Sequence, residues 1–204
     1  MAIVVNAVAS LAAVWISQCI ELLAPVLFWV SVSFRPLLSV WIGVAGCLHM
    51  IGMIGWYDTV WWWDHVTHTV SAALIAALLY AWLLVGGVDM RLFVLTASPA
   101  VAAVVLTLAT GVLWEVVDQA VRLVCERLGI ERVLKQYRWL DTPLDIVFDG
   151  VGALLVVTTD FRLFVPLFEP IPWFTRHLLY SWMGGLAVCL LVSTMIVVYG
   201  RAAW

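Results

Sequence analysis

The chain has 204 residues, of which 65% are hydrophobic and only 11% charged, with a formal net charge of −3 and a mean hydropathy of +1.09. Soluble domains are about 25% charged, so this composition excludes a soluble domain and places most of the chain in lipid. It carries no basic patch of the kind that binds nucleic acid, and its four cysteines (Cys19, Cys47, Cys125 and Cys189) lie far apart without a CxxC pair, which argues against a disulfide framework or a zinc ribbon.

The expected fold class is all-α: a polytopic transmembrane helical bundle of about six spans, with residues 1–204 forming a single integral membrane domain. Residues 3–32 read as one long span despite Glu21 and Pro25, with two short passes as the alternative. The N-terminus lacks a basic region ahead of its apolar run, so this span is expected to be retained. Arg35-Pro36 marks a turn, and residues 37–56 form a second span with His49 near its end. A tryptophan-rich link suited to a membrane interface leads into the third span, residues 64–85.

Gly86-Gly87 and residues 89–91 make the next turn, and the fourth span is expected over residues 92–120, with helix continuing to Arg127 and stopping at Gly129. Residues 126–140 hold the main charged run and read as an amphipathic segment on the membrane surface or as a solvated loop. Asp141 or Thr142 can cap a fifth span, 143–159, with Pro143 in its first turn. The three prolines between 160 and 177 suggest a re-entrant or interfacial loop before the sixth span, 178–199. Basic residues after the fourth span favour a cell-membrane protein with both termini in the cytoplasm.

Chemistry concentrates where spans begin and end. Residues 61–68 read WWWDHVTH, so three tryptophans run into Asp64, His65 and His68. The tryptophans are expected to fix the depth of the third helix. Glu115 and Asp118 close the fourth span, and Asp141, Asp145 and Asp149 open the fifth. Adjacent spans run antiparallel, so all of these groups share one face of the bundle whichever way it is inserted, and His49 lies on that face too.

At about 100° per residue, Asp64, His65 and His68 fall on one third of a helix. Glu115 and Asp118 are an i,i+3 pair, and Asp141, Asp145 and Asp149 form an i,i+4,i+8 stripe that Gly152 continues. A charge in mid-span costs on the order of 3 kcal/mol on insertion scales. These groups must therefore face one another, a cation or water. Each also has a structural reading: Asp64 and Asp141 as caps, His65 as an interfacial ring, and Asp118 as an i,i+4 partner of Arg122. Asp58, Asp89, Asp160 and Glu169 read as solvated loop residues.

Two histidines with several carboxylates suit zinc, manganese or iron, and a mainly carboxylate set suits magnesium or calcium. Asp64, His65, His68, Glu115, Asp141 and Asp145 are the candidate metal ligands. Asp118 or Asp149 is the candidate general base. Arg122, Lys135 and Arg138 are candidates for receiving a phosphate or carboxylate head group. DHVTH lacks the glutamate of HExxH, and the chain has no GxSxG or P-loop.

Three stretches carry a family resemblance: DHVTHTVSA from Asp64, LWEVVDQ from Leu113, and DTPLDIVFDGVGA from Asp141. Together they resemble small polytopic membrane proteins of the YjdF-like type, and the third is also similar to the VanZ-like pattern. The resemblance departs at Asp118, where YjdF-like proteins usually have Glu, and at Asp149, where VanZ-like proteins more often have Asn. It implies a fold and a site position more than a reaction.

Three functions compete on this reading. The first is a metal-dependent hydrolase or transferase acting on a lipid or isoprenoid substrate within the membrane. The second is an ion- or proton-coupled transporter. The third is a scaffold in which the polar cluster locks the bundle.

Overall fold

The computed structural model describes residues 35–87, 90–92, 95–129 and 141–202. The expected first span, with Glu21, and most of the charged run at 126–140 lie outside these residues. The described elements are α1 (Arg35–Ile51), a π-helical turn (Gly52–Trp56), α2 (Tyr57–Thr59), α3 (Trp63–Gly86), strands β1 (Met90–Leu92) and β2 (Leu95–Ala97), α4 (Pro99–Arg127), α5 (Asp141–Thr158), α6 (Val165–Phe168) and α7 (Pro172–Ala202). The protein is a bundle of helices, and four of its described helical stretches are long and apolar enough to cross a membrane: Val40–Thr59, Trp63–Gly86, Pro99–Arg127 and Pro172–Tyr199. At 18 residues α5 is about 27 Å long, but three aspartates interrupt its apolar surface.

The boundaries follow local chemistry. The fourth span was expected from residue 92, but β1 and β2 form an antiparallel hairpin there, pairing Met90 with Ala97. Helix α4 starts only at Pro99, because Ser98 is extended and its hydroxyl accepts the Val101 amide at 3.3 Å. Its other end lies at Arg127, with Gly129 at φ 63° just beyond. Helix α3 ends at Gly87, which is left-handed (φ 58°, ψ 37°). The Arg176 guanidinium donates from Nε and Nη2 to the Gly86 carbonyl at 3.1 and 2.9 Å.

Helix α3 is the hub. It packs most extensively on α5, and also on α1, α4 and α7. Its buried residues Ala72, Ala76, Ala77 and Ala81 alternate with Leu74, Leu79 and Leu83, and the small ones let neighbouring backbones approach. Gly152 of α5 lies directly on this surface. A Cβ there would collide with the Thr69 carbonyl oxygen and sit 2.9 Å from the Ala73 nitrogen. The small residue expected to admit a second helix thus faces the backbone of α3.

The segment between α5 and α7, expected over residues 160–177 as a re-entrant or interfacial loop, turns inward. Phe164 and Phe168 are buried, and the segment plugs the core. Phe164 sits 5.9 Å from the ring of Trp41 and Phe168 5.9 Å from Trp82. Helix α7 begins at Pro172, six residues before the expected start of the sixth span, and it buries Thr175 and Leu179. Asp160, expected to be merely solvated, accepts hydrogen bonds from the Tyr80 hydroxyl (2.7 Å) and Arg162 Nε (2.8 Å).

The three tryptophans also divide. Trp61 is 78% exposed, whereas Trp63 is buried. The Trp63 indole donates to the Leu48 carbonyl at 3.1 Å and ties α3 to α1. Outward faces of α5 and α7 present Val147, Leu154, Leu155, Leu191 and Val192 to the surroundings, as lipid contact requires.

Candidate cation site at one end of the bundle

The close approach of α5 to α3 determines what meets at the site. Gly152 fixes the separation, and Asp149 and Asp145 lie one and two turns before it on the same face. His68 of α3 points into this face. Its Nδ1 is 3.0 Å from Asp149 Oδ1. Its Nε2 lies 3.8 Å from Asp64 Oδ1, one turn back on α3, and 3.8 Å from Asp145 Oδ1. One imidazole is therefore surrounded by three carboxylates. Asp145 and Asp149 are both buried, at 5% exposure, while Asp64 is partly open. Single ligand atoms from Asp64, His68 and Asp145 all lie within 4.8 Å of one another.

The other predicted residues take separate places around this centre. His65 is only 60° from His68 around α3, yet it is turned aside. Its ring stacks on Phe148 at 4.2 Å and 10°, with Trp61 edge-on at 6.2 Å. Its buried Nδ1 has no partner among the described residues. An apolar groove of about 260 Å³ runs along this side, lined by Trp61, Trp62, His65, Val66, Val70 and Phe148 with Thr69.

Glu115 is buried and accepts a 2.6 Å hydrogen bond from the Thr142 hydroxyl. Thr142, expected as a possible cap of the fifth span, instead lies inside α5 and joins it to α4. Asp118 is ion-paired with Arg122 one turn on, so this guanidinium is already engaged by a carboxylate. Asp141 opens α5, but its side chain is not described. Lys135 and Arg138 lie outside the described residues.

The reading of single helices missed a connection from α1. The His49 ring nitrogen Nδ1 is 2.6 Å from the Tyr57 hydroxyl, which lies 3.5 Å from Thr67 Oγ1. Thr67 in turn donates to the Asp64 carbonyl at 2.7 Å. The chain can make this approach because of the break between α1 and α3. Gly55 adopts φ 125° there, a conformation open to glycine. Gly52 leaves room for the Tyr57 ring, whose atoms a Cβ would strike.

Every one of these residues lies in a segment matched by one family model, described as a predicted membrane protein (DUF2238), over residues 1–165. The chain belongs to that family. The match takes in α1 to α5 and stops short of α7. It lends no support to a VanZ-like relationship for residues 141–153. No curated protein and no solved structure matches the chain.

Proposed function

We propose that this integral membrane protein, read as YjdF-like within its family, binds a divalent cation between Asp64, His68 and Asp145. We further propose that the cation serves a hydrolase or transferase acting on a membrane lipid or isoprenoid substrate. The observation that carries the reading is the position of His68. One of its nitrogens is held by Asp149, and the other faces two further carboxylates at 3.8 Å.

Around an ion with donors at about 2.0–2.2 Å, neighbouring ligand atoms stand roughly 3–3.5 Å apart, so small side-chain adjustments close the site. One nitrogen with two carboxylate oxygens suits zinc, manganese or iron, and magnesium is the hard-ion alternative. A bound cation would also offset the mutual repulsion of the carboxylates. Its chemistry would be to activate water or polarise an ester or phosphoryl oxygen. With Asp149 engaged by His68 and Asp118 by Arg122, the carboxylates orient and balance charge around that centre. The apolar groove on the His65 side supports an amphiphilic substrate.

Two features favour this reading over a transporter. The polar groups crowd one end. The core beyond them is built mainly from residues such as Ala76, Ala77, Leu79, Ala102, Leu106 and Phe164, with the hydroxyls of Thr107 and Thr175 as buried polar groups among the described residues. A transported ion needs polar stations across the whole membrane. On the charge pattern of its loops, both termini are proposed to be cytoplasmic.

The test is metal analysis of the purified protein after loading and dialysis. One ion per chain is expected in the wild type, and none in His68→Ala or Asp145→Asn. Membrane lipid extract incubated with the loaded protein should then yield a cleaved or transferred product by mass spectrometry, abolished by chelation. A wild type without stoichiometric metal, indifferent to chelators, sinks the proposal. Ion flux in liposomes, lost in Asp145→Asn, would put the transporter in its place.

A further inference from the structure

The geometry points to Gly111 of α4 as a positioning residue for the cation site: it clears the space that the Asp149 carboxylate occupies, and Asp149 sets which nitrogen of His68 faces Asp64 and Asp145. This inference rests on the metal reading above and extends it to a helix that supplies none of the three ligands.

The chain of contacts starts at His68. With an Asp149 carboxylate oxygen as its 3.0 Å neighbour, Nδ1 is assigned the proton, the oxygen being the acceptor of the pair. In the neutral ring Nε2 then carries the lone pair, and Nε2 is the atom that lies 3.8 Å from both Asp64 and Asp145. Asp149 is thereby an orienting group outside the ligand set. A carboxylate fixing the second nitrogen of a metal-binding histidine is a general device for holding ring orientation and raising ligand basicity.

What holds Asp149 in turn is the surface of α4. Its Oδ2 lies so close to Gly111 that a Cβ at that position would overlap it, and the same Cβ would meet Asp149 Cγ at 3.1 Å and Ile146 Cδ1 at 3.3 Å. Gly111 sits in the interior of a 29-residue helix, where glycine is a poor choice on propensity. It is not among the described glycines with positive φ. The helix therefore has no conformational need for glycine here, and the carboxylate opposite supplies the reason. Gly150 makes a useful contrast, because a Cβ there would meet only Leu108 at an ordinary 3.6 Å.

The experiment titrates the full chain, reconstituted in nanodiscs, with zinc or manganese ions alone and reads affinity by calorimetry. Gly111→Ala and Asp149→Ala should each weaken binding about 10–100-fold. The double variant should bind no more weakly than Asp149→Ala, because both changes act through one contact. Gly150→Ala should match the wild type. Wild-type affinity in Gly111→Ala, or a double variant that loses the product of the two single effects, overturns the inference.

If Gly111→Ala alone does not fold, recovery of folded protein in the double variant supports it, and failure of both overturns it. A wild type that binds neither ion ends the metal reading. The linkage is then read from nitrogen NMR of the His68 imidazole. Its Nδ1 proton signal should be lost in Gly111→Ala, and its persistence overturns the linkage.

Discussion

The two ends of α3 solve the same problem in opposite ways. At the far end, Asp160 accepts from Arg162 two residues on and from Tyr80 of α3, and Arg176 covers the last carbonyl of the helix at Gly86. Asp160 and Arg162 are both exposed, so water does much of the solvating. At the near end, three carboxylates converge on one histidine, and two of them are buried. Matched, hydrated charges latch helices together at little cost. Buried carboxylates gathered around one imidazole are expensive, and the cation proposed above would offset that cost.

The contrast can be broken in a graded series. The largest effect is expected from His68→Ala in the metal-free protein. It leaves Asp145 and Asp149 buried without the imidazole, and removing one partner of a buried pair costs about 3–5 kcal/mol. Thermal unfolding in detergent should show that loss. A variant as stable as the wild type would mean the near end is as loosely balanced as the far one.

Gly152→Val comes next. Its side chain would collide with the backbone of α3 at Thr69 and Ala73, and overpacking of this kind costs about 1–3 kcal/mol. Because it pushes apart the helices that carry His68 and Asp149, metal affinity should fall together with stability. A loss of stability with unchanged affinity would separate helix packing from site assembly.

Asp160→Asn should have a smaller effect on stability and none on metal binding. Any change at the cation site would show that the two ends are coupled. The same latch gives the smallest and most conditional signal, its response to pH. The hydrogen bond from Arg162, then that from Tyr80, holds the Asp160 carboxyl below its ordinary range. A depressed pKa in the folded state stabilises above the unfolded value, near 4, and the contribution is lost as pH falls through the folded value. Stability attributable to Asp160 should therefore be flat from neutral pH down to about 5 and fade only in stronger acid. Comparing wild type with Asp160→Asn across that range isolates it, and a difference that fades near neutral pH would contradict the assignment.

Much of this arrangement is legible in the sequence, and the part that is not has a common cause. Asp64 and His68 are separated by one turn, and Asp145 and Asp149 by another, so each pair shares a face before any packing is known. The Asp118–Arg122 pair follows from the same spacing and is present. His65 was indistinguishable from His68 on those grounds, yet it stacks on Phe148 away from the carboxylates. Thr142 looked like a cap and became a partner of Glu115. In each case helical spacing gives the angle between residues on one helix. It leaves open the rotation of that helix against its neighbours, and a turn of 60° is enough to exchange one histidine for the other.

By itself, the sequence determined that the chain is a bundle of apolar helices. It also determined that Asp64, His68, Glu115, Asp118, Asp145 and Asp149 collect at one end, because composition demands lipid and antiparallel succession brings alternate span ends together. Only the tertiary structure decided which groups touch. Gly152 sets how near α5 comes to α3, Gly111 sets where Asp149 rests, and the break at Gly52–Trp56 brings His49 and Tyr57 to the same end. Those are matters of distance and rotation between helices, fixed by contacts among residues far apart in the chain.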